Sequence, residues 1–224
     1  MSQKIPDFLI RKPSRPINPY ANWKTYKNGD IVFSSDKKFD RWDAHPEGII
    51  LETDKSLFIN GERHNQRERE REREREDFMW HGHPKGFVIR RGNKFLINNE
   101  DLVYEGDWDD WRSHPEGVVI EKEEKLLLNG KDLLYEEERE EWDGHIEGVI
   151  VQIDNQILLN GELLLYEGEF DTWFSHPRGA IIQKENLLLL NTQKVIYEGE
   201  VGEWVSHPNG IIMKKDNLWI FYSV

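Results

Sequence analysis

Short apolar runs separated by charged and turn-forming residues recur along the chain. One unit runs Trp111-Arg112-Ser113-His114-Pro115-Glu116-Gly117, the branched run Val118-Val119-Ile120, a charged pair Glu123-Glu124, Leu126-Leu127-Leu128, Asn129-Gly130 and Leu133-Leu134-Tyr135. Apolar runs this short, bounded by Asn, Gly and Pro, predict strands and hairpins, because Asn-Gly readily takes the positive φ angles of a two-residue turn. With the stretch through the Trp as a first strand, each unit predicts a four-stranded antiparallel meander with tight turns.

The unit repeats. Its Trp recurs at Trp42, Trp80, Trp111, Trp142, Trp173 and Trp204, and the last four steps are all 31 residues. A fixed period of this size marks a repeat architecture, and six four-stranded meanders predict an all-β, six-bladed β-propeller. In five units an Asn follows the unit's His by 15 residues: Asn60, Asn98, Asn129, Asn160 and Asn191. In the sixth that position is Tyr222, two residues before Val224, so the last unit lacks a fourth strand. A surplus one stands at the other end, where Asn28-Gly29 and Ile31-Val32-Phe33 match Asn129-Gly130 and Leu133-Leu134-Tyr135. Pairing the two closes the ring and removes an exposed sheet edge. The alternative is an open β-solenoid stacking the same repeats.

A small residue, then His-Pro-x-Gly and a branched strand, as in Ser113 to Ile120, resembles the Ser-Pro-Asp-Gly turn of WD-repeat (WD40-like) and TolB-type propellers. Rings of those families often close by overlapping their first and last strands, which the resemblance implies here over Ile31 to Val224. The chain departs from them in its shorter repeats, in a Trp placed before the turn and in lacking a Trp-Asp ending. The fold is carried over from the resemblance and no binding residue is.

Composition narrows the partners. A formal net charge of −13 argues against nucleic acid, which needs clustered Lys and Arg. Cysteine is absent, which fits a reducing, cytoplasmic setting and leaves no disulfide or thiolate site. Phe8-Leu9-Ile10 is far too short an apolar run for a signal peptide or a membrane span. Four prolines between Pro6 and Pro19 make residues 1–20 an extended arm, which either trails or docks Phe8, Leu9 and Ile10 on a surface. Residues 21–224 are expected to form one domain, a monomer, with a charged insertion over 63–77. Its alternating run Arg67 to Glu76 replaces the apolar fourth strand of the first full unit and reads as a solvated loop or a charge-matched contact.

The repeated residues are candidates for chemistry and for structure. His45, His83, His114, His145, His176 and His207 could form a metal or pH-sensitive ring, but an element present in every blade is more economically a turn-fixing one. The Trp series is expected to pack blade on blade, or to offer a platform for a sugar or amine. His81-Gly82-His83 puts two rings on one side of a strand without a third ligand. Catalytic motifs of known mechanics are absent, and no cofactor or metal is expected.

The loops joining one unit to the next are acidic: Glu105, Asp107, Asp109 and Asp110; Glu136 to Glu138 and Glu140; Glu167, Glu169 and Asp171; Glu198, Glu200 and Glu203. A single ligand in the central channel needs blades that differ, and the position after each Trp varies most: Asp43, His81, Arg112, Asp143, Phe174 and Val205. These six are the expected channel-lining, ligand-facing residues. The expected function is a non-enzymatic binding or scaffold propeller engaging a basic protein or peptide at the acidic face. The alternatives are a lectin-like propeller with repeated carbohydrate sites, or an enzyme or small-ligand site at the channel mouth.

Overall fold

The computed structural model describes residues 19–21, 23–53, 56–63, 79–192 and 194–224. Among these every regular element is a strand, and no helix is long and apolar enough to cross a membrane. Strand β1 (Ile31–Ser34) precedes the first blade in the chain. Blade I comprises β2 (Arg41–His45), β3 (Gly48–Thr53), β4 (Ser56–Ile59) and β5 (Glu62–Arg63). Blade II comprises β6 (Met79–His83), β7 (Gly86–Arg91), β8 (Lys94–Ile97) and β9 (Asp101–Glu105), and blade III β10 (Asp110–His114), β11 (Gly117–Lys122), β12 (Lys125–Leu128) and β13 (Asp132–Tyr135). Blade IV comprises β14 (Glu141–His145), β15 (Gly148–Ile153), β16 (Gln156–Leu159) and β17 (Leu163–Glu167), and blade V β18 (Thr172–His176), β19 (Gly179–Lys184), β20 (Leu187–Leu190) and β21 (Lys194–Glu198). Blade VI is built from β22 (Trp204–His207), β23 (Gly210–Lys215), β24 (Leu218–Ser223) and, as its fourth strand, β1.

The six antiparallel sheets form a β-propeller. Each second strand is buried on both faces, as at Ile49-Ile50-Leu51 and Val118-Val119-Ile120, because each blade is sandwiched between two others. That double burial is why the sequence shows continuous branched runs there and not alternation.

The 15-residue His-to-Asn spacing has a direct physical cause. In blade III the Asn129 side chain accepts from the Val118 N–H (3.0 Å) and donates to the Glu116 carbonyl (3.1 Å), tying the first turn to the third. Asn60, Asn98, Asn160 and Asn191 make the same pair of bonds in their blades. Gly117 must be glycine: its φ is +142°, and a Cβ there would lie 2.1 Å from the Asn129 Oδ1.

The fourth strands of blades II to VI share an irregularity. In blade II, Phe95 pairs with Tyr104 but Leu96 pairs with Leu102, leaving Val103 as an extra residue. The bulge turns two consecutive side chains, Val103 and Tyr104, onto one hydrophobic cluster, and Leu134-Tyr135, Leu165-Tyr166, Ile196-Tyr197 and Val32-Phe33 repeat it. In blade I the described part of the fourth strand is Glu62 and Arg63, directly after the Asn60-Gly61 turn, which pair with Ile59 and Phe58. The run Arg67 to Glu76 lies outside the described residues, as do Phe8, Leu9 and Ile10.

The ring is closed. Strand β1 pairs antiparallel with β24, Ile31 opposite Ile220 and Phe33 opposite Trp219. Across the next seam, Ala44, Ile49 and Leu51 of blade I share a hydrophobic cluster with Ile212, Trp219 and Phe221 of blade VI.

Candidate functional site: the central channel

The first strands, β2, β6, β10, β14, β18 and β22, stand side by side around a central cavity of about 610 Å³. Alternation along each strand sends the Trp against the preceding blade and the next residue towards the following blade. The indole nitrogens therefore donate backwards: Trp80 to Glu52 (2.7 Å), Trp142 to Glu121 (3.2 Å), Trp173 to Gln152 (3.1 Å) and Trp204 to Gln183 (2.8 Å). The acceptor always stands on the second strand of the blade before. Two blades break the rule, because the equivalent positions carry Arg90 and Lys214. Trp42 turns instead to Glu203 (2.9 Å), and the Trp111 Nε1 is buried without a hydrogen-bond partner. The Trp series is thus inter-blade structure and leaves little ring surface for a sugar to stack on.

The histidine ring is structural in the same sense. In every blade the His Nδ1 accepts the N–H two residues ahead, at 3.0–3.2 Å. That bond fixes the turn and requires the neutral ring with its proton on Nε2. Burial pushes His83, His114 and His207 down to about 4 and His176 to about 3. Among the described residues no group of three or more His, Asp or Glu side chains is placed to hold a metal ion.

All six side chains expected at the channel line it, and each also leans on the following blade. His81 meets the Trp111 ring edge-on at 4.7 Å, Arg112 lies over Trp142 at 5.2 Å and Phe174 meets Trp204 at 4.9 Å. Val205 packs against the cluster of blade I. Asp43 accepts from the Ala44 N–H (2.7 Å) and, across the seam, from Gly82 (2.8 Å). Asp143 does the same with Gly144 (2.8 Å) and Ser175 (3.1 Å). These carboxylates clip neighbouring blades together while facing the cavity. Blades I and IV stand opposite each other in a six-membered ring, so the two aspartates do as well.

The channel's electrostatics follow from its depth. Desolvation raises both aspartates, Asp143 to about 6, and lowers His81 to about 3, with Arg41 and Arg112 pushing His81 the same way. The two arginines lower the nearby aspartates, Arg41 acting on Asp43 and Arg112 on Asp143, and have other partners as well: Arg112 pairs with Asp110 at 2.8 Å, and Arg41 lies over Trp80 at 4.9 Å with its guanidinium 3.4 Å from the His81 Nδ1.

Sequence reasoning did not find the residues that occupy one end of the channel. Trp23 donates to the Pro84 carbonyl of blade II (3.2 Å), the Lys24 N–H donates to Pro46 of blade I (2.8 Å), and the Trp23 ring meets His207 of blade VI at 5.1 Å. Tyr20, edge-on to Trp23 at 5.7 Å, lines the cavity, and burial together with the Asp143 charge raises its hydroxyl pKa. Trp23 and Lys24 thus touch blades VI, I and II on the side of the His-Pro turns. At the other end the cavity reaches Arg41, Asp110, Glu140, Glu141 and Thr172, where the acidic loops begin. Glu137, Glu138, Glu169 and Glu200 are exposed there. Compared with known protein families and with curated proteins, the sequence matches none.

Proposed function

We propose that the chain is a non-enzymatic binding or scaffold module that receives a basic protein or peptide segment on its acidic loop face. One observation carries this reading: the exposed carboxylates surround the channel end opposite Tyr20, Trp23 and Lys24. Low-dielectric walls around a mouth of one charge concentrate oppositely charged ligands there. The absence of cysteine and the acidic balance suit a soluble cytoplasmic monomer. A small-ligand site inside the channel is the second reading, supported by the cavity itself. The lectin-like alternative has less support, since the repeated Trp and His side chains are consumed in holding blades together.

Binding of a fluorescent lysine-rich peptide, followed by anisotropy at increasing salt, tests the proposal. Binding should weaken steeply with salt and fall at least tenfold when Glu137, Glu138 and Glu169 are changed to Lys. Salt-independent binding, or binding indifferent to the three reversals, contradicts it.

A further inference from the structure

The six positions facing the channel divide it chemically. Blades I to IV contribute Asp43, His81, Arg112 and Asp143, whereas blades V and VI contribute Phe174 and Val205. Phe174 is 41 % exposed although it stands on an inner strand. It is held edge-on to Trp204 and directly precedes Ser175, whose N–H is bonded to Asp143. An aromatic ring with free surface therefore stands on the strand whose backbone binds a channel carboxylate, and the charge of that carboxylate also acts on Tyr20 at the other end.

Each oxygen of Asp43 and Asp143 already accepts one backbone N–H and retains a second lone pair. Two carboxylates stand across the cavity from each other, and Arg41 and Arg112 offset their charge only in part, Arg112 being ion-paired with Asp110 and Arg41 lying over Trp80. Burial raises Asp143 most; its backbone hydrogen bonds and Arg112 oppose that, and Asp43 adds a smaller upward push. A planar guanidinium pairs best with both oxygens of one carboxylate at once, and here each oxygen already accepts a backbone N–H. An ammonium distributes three N–H donors over separate acceptors and suits the remaining lone pairs better.

We propose that the channel binds an alkylammonium group between Asp43 and Asp143, with its carbon chain against Phe174 and Val205. This rests on the reading that the acidic face receives a basic partner, and it names the part of that partner that enters the ring. A free aliphatic amine and the side chain of a partner's lysine share this chemistry.

The test is calorimetric titration of the full chain with n-butylammonium chloride, with n-butanol as its neutral counterpart and with Nα-acetyl-lysine methylamide. Butylammonium should bind and butanol should not. Asp143→Asn and Phe174→Ala should each weaken binding about tenfold, the second because a desolvated cation–aromatic contact contributes on that scale. Phe174→Leu keeps the packing and should still weaken binding, which separates recognition from folding. Binding should also decline between pH 7.5 and 5 as Asp143 takes up a proton. Butylammonium bound as tightly as wild type by both Asp143→Asn and Phe174→Leu overturns the proposal, as does equal binding of butanol. The lysine derivative binding where butylammonium also binds supports either source, and tighter binding of the derivative identifies a partner's side chain. If a lysine-rich peptide binds the acidic face while neither small cation binds, the channel proposal falls and the reading of the face stands. If nothing binds, both fall.

Discussion

A single acceptor position couples four of the six blades to the blade before. The indole of Trp204 is buried and donates to Gln183 at 2.8 Å, so Gln183→Leu strands a buried N–H. Leaving a buried donor unpaired costs about 1–3 kcal/mol, whereas keeping an acceptor of the same length costs far less. Gln183→Leu should therefore lower stability by about 2 kcal/mol in urea denaturation. Gln183→Glu, which installs the acceptor that Trp80 and Trp142 already use, should stay near wild type. Equal losses in the two variants would show that the hydrogen bond is not what the position supplies. The residues of this network all stand in the sequence at repeating intervals, but their partnership was not legible there. It links one repeat to the preceding one, and the periodicity gives no sign of which neighbours touch. The channel-facing six were legible for the opposite reason: variation at one position of an otherwise uniform strand is visible without knowing any contact.

Strands and turns were largely legible as elements, because continuous branched runs, Asn-Gly turns and the His-to-Asn interval each have a local cause. The bulges were not. Period-two alternation puts Val103 and Tyr104 on opposite faces, and only packing against the adjoining blade brings both inward. The approach of Tyr20, Trp23 and Lys24 to the channel was also hidden, since a single non-repeating segment carries no periodic signal. At the same scale the His-Pro turns make a pH prediction. His83, His114 and His207 are held near 4 and His176 near 3 by burial, against about 6.5 in an unfolded chain. Below about pH 6.5 the unfolded chain binds protons that the folded turns exclude, so stability is full above that value and is lost as pH falls towards 4. Each such histidine removes about 1 kcal/mol by pH 5.5. Asp143, raised to about 6, opposes this by taking up a proton in the folded state, but it is outnumbered. Unfolding free energies from urea denaturation at pH 7.5 and 5.5 should therefore differ by several kcal/mol in favour of pH 7.5. A flat or inverted profile would mean that the six rings are solvated and do not hold the turns.

At the scale of the molecule, one short strand joins the two ends of the chain. Strand β1 completes blade VI, covers the edge of β24 and places Phe33 against Trp219 at 5.3 Å and Phe39 at 6.2 Å. The channel exists only if the six first strands stand in a closed ring, so every statement about its lining depends on this pairing. Closure was legible in the offset between the first and last repeats, down to the strand that performs it. The most direct measurement compares two truncated chains by urea denaturation, one lacking residues 1–29 and the other lacking 1–35. Both lose residues 20–24, and only the second loses β1. Partial burial of Val32 and Phe33 contributes about 2 kcal/mol on ordinary transfer scales, so the longer deletion should be less stable than the shorter by about that much, with an edge of β24 exposed to aggregation. Equal stability of the two chains would contradict a ring closed by β1 and favour an open stack of repeats.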